Sequence, residues 1–415
     1  MKSKKSKNIY YIWNMKQIDR PNYLQFLTSW KDEDVIKVVS GVRRCGKSTL
    51  FQMFKQQLRK DGVKEKQIIS INFEDIEFDH LRNPSTLHKF ITAQLKENEK
   101  YYLFLDEIQN VIEFERVVNS LHLNRNIDIY LTGSNAYFLS GELATLLTGR
   151  YVELKMLPLS FAEYLSVYNE GRLLDAYNNY LKSSFPYAVT LDETKKKQYL
   201  EGIYSTVVLK DIVKRLGVSD VSVLEKLIRY VYGEIGNLHS INNITNTLNS
   251  FGRKITNKTV ANYLSGIEDS MLVYRANRYN VKGRKVFSSN VKYYAVDIGL
   301  RRLIAGDRSE DYGHILENIV YLELLRRGYQ VYVGVIDHLE VDFLAISSGD
   351  ERMYIQVAYT TDREETLKRE LLPLELIKDN YPKLLLTMDT VLPEQNFGGI
   401  KKTSALNWLA QLHGA

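Results

Sequence analysis

A single cysteine, Cys45, stands among the 415 residues, so no disulfide closes within the chain and no cysteine cluster holds a metal. Long hydrophobic runs are missing too. The apolar stretches are strand-sized, and none reaches the ~20 residues that cross a bilayer. No signal-like segment follows the basic start Met1–Lys7, so the cytoplasm is the expected address and no membrane partner is expected. Neither charge dominates: a net charge of +6 with 26% charged residues permits an acidic partner without requiring one. There is no internal repeat and no low-complexity linker, and the length predicts roughly two to four globular domains. The basic start itself reads as a solvated tail, or as one that grazes nucleic acid.

What is present is more specific. Gly41-Val42-Arg43-Arg44-Cys45-Gly46-Lys47-Ser48, followed by Thr49, matches the phosphate-cradling pattern of two glycines, a lysine and a hydroxyl residue. It follows a β-branched run, Val35 to Ser40, and precedes a segment from Thr49 to Leu58 whose apolar residues recur at helical spacing. Strand, loop and helix thus come in the order an anion site at a helix start requires. Gly41 and Gly46 would allow the backbone close to phosphate, Lys47 would neutralise the β- and γ-phosphates, and Ser48 would offer its hydroxyl to Mg²⁺. Cys45 reads as a small loop residue, or as a thiol whose modification would impair ATP binding.

A second apolar strand, Tyr101 to Leu105, ends in Asp106 and Glu107. Asp106 is placed for the Mg²⁺ shell and Glu107 to polarise a water for attack on the γ-phosphate. A third, Ile127 to Leu131, runs into Thr132-Gly133-Ser134-Asn135, where Asn135 is a candidate sensor of the γ-phosphate or of that water. Asn72, at the end of the strand Gln67 to Phe73, is a candidate partner that would hold Glu107 inactive. Arg150 is a candidate for the arginine that completes a neighbouring subunit's site, with Arg43, Arg44 and Arg116 as competitors.

Together the loop Gly41 to Ser48, Asn72-Phe73-Glu74-Asp75, Leu105 to Gln109, Leu131 to Ala136, Leu147 to Tyr151 and Leu157 to Phe161 make the chain resemble a bacterial or archaeal AAA+-type ATPase with an appended C-terminal domain of unknown function. The resemblance implies an α/β P-loop NTPase core with a parallel sheet, an extra strand between the two Walker strands, and ATP with Mg²⁺ as ligands. It implies no particular substrate.

The expected organisation is a P-loop ATPase core over 1–159, a helical lid over 160–220, a winged-helix-like domain over 221–300 and a restriction-endonuclease-like α/β domain over 301–415. The winged helix rests on three helical patterns, Ser222–Tyr232, Ser240–Ser250 and Asn257–Ile267, with Ser240 and Thr256 as N-caps and Gly252 at the turn. A basic turn, Val281 to Lys285, follows between two strands. If the unit binds duplex DNA, Asn257, Lys258 and Asn262 would approach bases while Lys282, Arg284 and Lys285 meet phosphates; docking a protein is the other reading. In the last third, a helix over Tyr312–Gly328 and strands at Tyr329–Val333, Glu340–Ala345 and Met353–Ala358 resemble the restriction-endonuclease order. Glu317, Asp342 and Gln356 fall on its acidic and Gln-x-Lys positions, but Ala358 replaces the lysine, so a degenerate site is expected. The functional expectation is a homo-oligomeric ATPase coupled to a DNA-associated role. A nucleotide-dependent signalling switch acting on a protein, or an ATP-dependent nuclease, are the alternatives.

Overall fold

The structure is a computed structural model that describes residues 18–134, 149–168, 171–218, 220–250, 252, 254–287, 289–307 and 311–412. Its first sheet is fully parallel, with strands β1 (Ile36–Ser40), β2 (Ile68–Asn72), β3 (Tyr101–Asp106), β4 (Ile127–Gly133) and β5 (Tyr151–Lys155) in the order β2-β3-β4-β1-β5. One strand, β4, lies between the strand that feeds the glycine loop and the strand that ends in Asp106, as the resemblance implies. Every residue of β1, β3 and β4 is buried, as expected of a parallel sheet covered on both faces. Because side chains alternate along a strand, Val39, Tyr102, Phe104 and Tyr130 join one core with the helices Pro21–Ser29 and Lys47–Lys60. Val38, Leu103, Leu105 and Ile129 join another core with the helices Pro84–Thr92 and Phe114–His122.

The segment after β5 is helical, as expected: Phe161–Leu165, Leu173–Tyr180 and Glu193–Thr206, the last passing into a π-helical stretch, Val207–Val213. Three helices follow at Val221–Gly233, Ile241–Ser250 and Asn257–Asp269. Ser240 Oγ accepts from Asn243 N and Thr256 Oγ1 from Thr259 N, so both caps form where the sequence placed them. These helices carry a three-stranded antiparallel sheet in the order β6-β10-β7, made of β6 (Leu238–His239), β7 (Val273–Ala276) and β10 (Val291–Ala295).

The basic hairpin departs from expectation. Its strands β8 (Arg278–Asn280) and β9 (Lys285–Val286) form one edge of an eight-stranded sheet ordered β15-β16-β14-β13-β12-β11-β8-β9, not part of the sheet against the three helices. The remaining strands are β11 (Gln330–Ile336), β12 (Leu339–Ile346), β13 (Arg352–Ala358), β14 (Lys383–Thr387), β15 (Gln395–Phe397) and β16 (Ile400–Ser404). The physical reason is pairing: β8 finds a parallel partner in β11, and Lys282 is neutralised by Asp337 at 2.6 Å. Helices Tyr312–Arg326 and Glu364–Leu376 pack on opposite faces of this sheet. Among the described residues no helix is long and apolar enough to cross a membrane.

Asp297 ties the helical segment to the helix Ile298–Ala305. It caps that helix through Leu300 N at 2.7 Å, and its other oxygen accepts from Ser184 N at 2.6 Å and Ser184 Oγ at 2.7 Å. The approach is so close that a Cβ on Gly299 would lie 1.9 Å from the Lys182 carbonyl oxygen. Gly299→Ala should therefore cost ~1–3 kcal/mol, read as a lower urea midpoint. Gly313→Ala, whose Cβ would meet nothing within 4 Å, should stay within about 0.5 kcal/mol of the parent.

Candidate functional site

The loop expected to cradle phosphate leaves the carboxyl end of β1, and Gly46 forms the N-cap of the helix Lys47–Lys60 with φ +109°. Only glycine takes that backbone readily. Gly41 is needed for a different reason: a Cβ there would lie 2.3 Å from the Met156 carbonyl oxygen, so the constraint is the strand exit behind the loop. Val42 and Cys45 are buried, Arg44, Ser48 and Thr49 are exposed, and burial pushes the Cys45 thiol up. A buried, protonated thiol is a poor nucleophile, which favours the small-residue reading of Cys45.

Lys47 turns its ammonium toward the Gly41 carbonyl at 2.9 Å and lies 3.6 Å from Glu107 Oε1. Asp106 and Glu107 sit at the carboxyl end of β3, on the same edge of the sheet. Thr132, at the matching end of β4, serves both: its hydroxyl donates to Asp106 Oδ1 at 2.5 Å and accepts from Glu107 N at 2.8 Å. Glu107 takes a left-handed backbone, φ 54°, a conformation that costs a non-glycine residue ~1–2 kcal/mol. The two carboxyls are driven apart. Burial, reinforced by Glu107 and opposed by the Thr132 and Ser48 hydroxyls, raises Asp106; burial acts the same way on Glu107, but Lys47, Gln109, Ser134 and Arg43 outweigh it and hold that carboxyl low. Ser48 and Asp106 thus form an adjacent pair of hard oxygens, the donor type Mg²⁺ takes.

The expected partner of Glu107 is corrected. Asn72 Oδ1 accepts from Glu74 N in a local turn. Among the described residues the amide that reaches Glu107 is Gln109, whose Nε2 donates to Oε2 at 2.5 Å and also contacts Ser134 Oγ at 3.3 Å. Asn135 lies outside the described residues. Arg150 precedes β5, its carbonyl accepts from Ile36 N, and its side chain meets Asn119. Since β1 and β5 are parallel, Arg150 stands at the sheet edge opposite Glu107 and cannot serve its own chain's site. Arg43 is engaged by Asp211 in a two-point ion pair at 2.8 and 3.0 Å and by Glu74 at 3.1 Å, and Arg116 is paired with Glu113.

Besides Gln109 and Asp211, the sequence reading missed Arg20 and Lys292. Arg20, 3% exposed, donates to Glu163 Oε1 at 2.7 Å, to the Cys45 carbonyl at 3.2 Å and to the Leu157 carbonyl at 2.8 Å, bracing the loop from behind. Lys292, on β10, belongs to a second cluster. The fold brings Glu317, Asp342 and Gln356 together: Val357 N donates to Asp342 Oδ2, Asp342 N to Gln356 Oε1, and Gln356 Nε2 to Glu370. Into this cluster Lys292 inserts an ammonium 2.9 Å from Glu317, 2.5 Å from Glu340 and 4.0 Å from Asp342. Lys368 is on the surface, paired with Glu364. No pattern marks Lys292 in sequence, where it is one polar residue in a strand of Val and Tyr.

Residues 33–165 match the family model described as AAA domain, and residues 174–311 match a domain of unknown function, DUF8612. An uncharacterized protein of Haemophilus influenzae is 41% identical over 400 residues, covering 95% of this chain and 99% of that one. Another, from Methanocaldococcus jannaschii, is 32% identical over 358 residues, covering 80% and 77%. The chain belongs to this family of AAA-domain proteins. A solved Walker-type ATPase of Pyrococcus abyssi is similar at 14% identity and a TM-score of 0.49, covering 69% of this chain and 96% of that one. The AAA domain contains the glycine loop, Asp106, Glu107 and Thr132, so the parallel sheet and its polar edge fit a P-loop nucleotide-binding fold.

Thr132→Val strands two buried polar groups at once and should cost ~1–3 kcal/mol, with Thr132→Ser restoring most of it. The loss should depend on pH. Without the hydroxyl the folded-state pKa of Asp106, already raised, climbs further, so stability falls as pH rises from the unfolded value through the folded one. The difference from the parent in urea melts should therefore be largest at neutral pH and shrink in acid, where Asp106 is protonated.

Proposed function

We propose that the protein binds ATP at the Gly41–Thr49 loop, hydrolyses it with Glu107, and couples nucleotide state to a DNA-associated role of the three-helix unit. The observation that carries the hydrolytic part is the Lys47–Glu107 juxtaposition at 3.6 Å on the edge where the loop opens. An ionised carboxylate held by Lys47 and Gln109 has the position and charge to orient a water toward the γ-phosphate, while Lys47 is released to the phosphates as they arrive. Ser48 and Asp106 would hold Mg²⁺, which when bound supplies counter-charge to the phosphates. Asn135 is proposed as the sensor, Gln109 as the residue that positions Glu107, and Arg150 as a finger given to a neighbouring subunit, in line with an oligomer.

The coupling has a physical route. Arg43 of the loop grips Asp211, which lies in the π-helical stretch; Ile212 and Leu216 just beyond it pack so tightly on Gly266 that a Cβ there would lie 2.5 Å from Leu216. Arg215 pairs with Asp269 at 3.0 Å. Gly266 and Asp269 belong to the helix Asn257–Asp269, whose Asn257, Lys258 and Asn262 are exposed. The glycine loop is thus linked through the π-helical stretch to a face of the composition that meets DNA, and Arg284 and Lys285 of the hairpin add exposed positive charge. We read the chain as an ATPase core over 1–159, a helical lid over 160–220, a winged-helix-like unit over 221–300 that lends its hairpin to the last sheet, and a degenerate restriction-endonuclease-like unit over 301–415. The exposed face favours DNA over the protein-directed switch, and Ala358 weighs against a nuclease.

Steady-state ATP hydrolysis with Mg²⁺, with and without duplex DNA, tests this. Glu107→Gln should keep ATP binding and lose turnover by ~10²-fold or more, and Lys47→Ala should lose both. DNA should stimulate the parent, and Asp211→Ala should retain Glu107-dependent hydrolysis while losing that stimulation. Turnover unchanged in Glu107→Gln would overturn the mechanism; Glu107-dependent turnover indifferent to DNA would replace the DNA role with a protein partner.

A further inference from the structure

Glu317, Glu340 and Asp342 converge from one helix and one strand, and three carboxylates so close cannot all ionise without a cation among them. A divalent metal held by hard carboxylate oxygens is one such cation. Here the cation is part of the chain. The Lys292 side chain, 5% exposed, comes from the neighbouring three-stranded sheet and sets its ammonium 2.5 to 4.0 Å from an oxygen of each carboxylate. Its other surroundings are Tyr294, whose hydroxyl donates to Glu317 Oε1 at 2.7 Å, and His314, 3.6 Å from Glu317 Oε2. On the far side Asp342 Oδ2 is spent on the Val357 amide, and Gln356 is spent on Asp342 N and Glu370. As they stand around the ammonium, these carboxylates are not disposed to hold a metal ion, and neither is any other set of three His, Cys, Asp or Glu side chains among the described residues.

We propose that Lys292 is the resident cation of this cluster, so that the acidic pocket is a fixed ionic joint between the two sheets and takes no divalent metal. A metal ion would need 2.0 to 2.6 Å contacts to the same oxygens, in the space the ammonium fills. The ammonium is tethered by a strand paired on both sides, to β6 and β7, so expelling it would bury an unpaired positive charge, a large penalty. Lys292 therefore does not stand in for the lysine that Ala358 replaces. It stands where the metal would stand, and the cluster cannot run metal-assisted phosphodiester cleavage.

Terbium(III) tests this in the full-length protein without nucleotide, because Tyr294 beside Glu317 would sensitise the emission of an ion bound there. The parent and Asp342→Asn should give the same tyrosine-sensitised emission on titration. Lys292→Met should gain a saturable, several-fold rise that Lys292→Met combined with Asp342→Asn lacks. An Asp342-dependent signal in the parent would overturn the proposal, as would a folded Lys292→Met with no gain. If near-ultraviolet circular dichroism finds Lys292→Met unfolded, the parent and Asp342→Asn comparison decides alone: equal signals support the joint, and an Asp342-dependent one refutes it.

Discussion

Arg20, itself buried, holds the glycine loop from its inner side. Its guanidinium spans the Cys45 carbonyl inside the loop, the Leu157 carbonyl beyond β5 and the Glu163 carboxylate on the next helix. Glu163 is itself fixed, since its second oxygen accepts from Ser160 N in a capping box. Met156 completes the wall: its amide donates to Ser40 and its carbonyl sits against Gly41. Loss of either partner in a buried pair of this kind leaves an uncompensated charge, at ~3–5 kcal/mol. The loop's shape therefore depends on residues before and well after it, and the core sheet and the first helix beyond it form one mechanical unit.

The same rule, that a buried charge needs a partner, gives different results along the chain. Lys37 and Asp128 pair at 2.6 Å between β1 and β4, with the Tyr130 hydroxyl and the Asp32 amide also donating to Asp128 and the Glu33 carbonyl accepting from Lys37; such a set holds the strands in register. Lys47 is less committed, with backbone carbonyls and one carboxylate at 3.6 Å, and so has charge left for an anion. Lys292 has three carboxylates and none to spare. Burial alone does not separate the three lysines; the charge and closeness of their partners do.

Much of this was legible in order and little of it in cross-connection. The glycine loop, the Asp106–Glu107 strand end and the helices from Val221 onward follow from local pattern, because loop chemistry, caps and periodicity are properties of neighbouring residues. The end of β4 was half legible: the polar run Thr132 to Ser134 was visible, but that Thr132 would bridge Asp106 and Glu107 depends on the strand order β3-β4-β1. Asn72 was a reasonable partner for Glu107 by adjacency of strands, yet its oxygen closes a local turn, the more economical use of an Asn at a strand end. Arg20 and Lys292 could not be found, since each meets partners more than 20 residues away that no periodicity links to it. The hairpin misled for the same reason: its charge was plain, but its parallel partner, β11, lies some fifty residues on.

The Arg43 and Asp211 pair shows why a π-helical stretch belongs where it is. A π-turn widens the helix by one residue and sacrifices regular hydrogen bonding, and it tends to survive where function offsets that cost. Val207–Val213 continues directly from the helix Glu193–Thr206 and leads to Leu216 and Gly217, the latter left-handed at φ 59°. Reversion of such a stretch to regular helix rotates the residues beyond it by about 100°, one residue's turn. Asp211 is inside the stretch and holds Arg43 of the glycine loop at two points. Allosteric coupling requires an element with two arrangements whose balance both sites bias. The π-stretch touches the glycine loop through Asp211 and, with Leu216 beyond it, the helix Asn257–Asp269, so it lies where an element joining the two would have to lie.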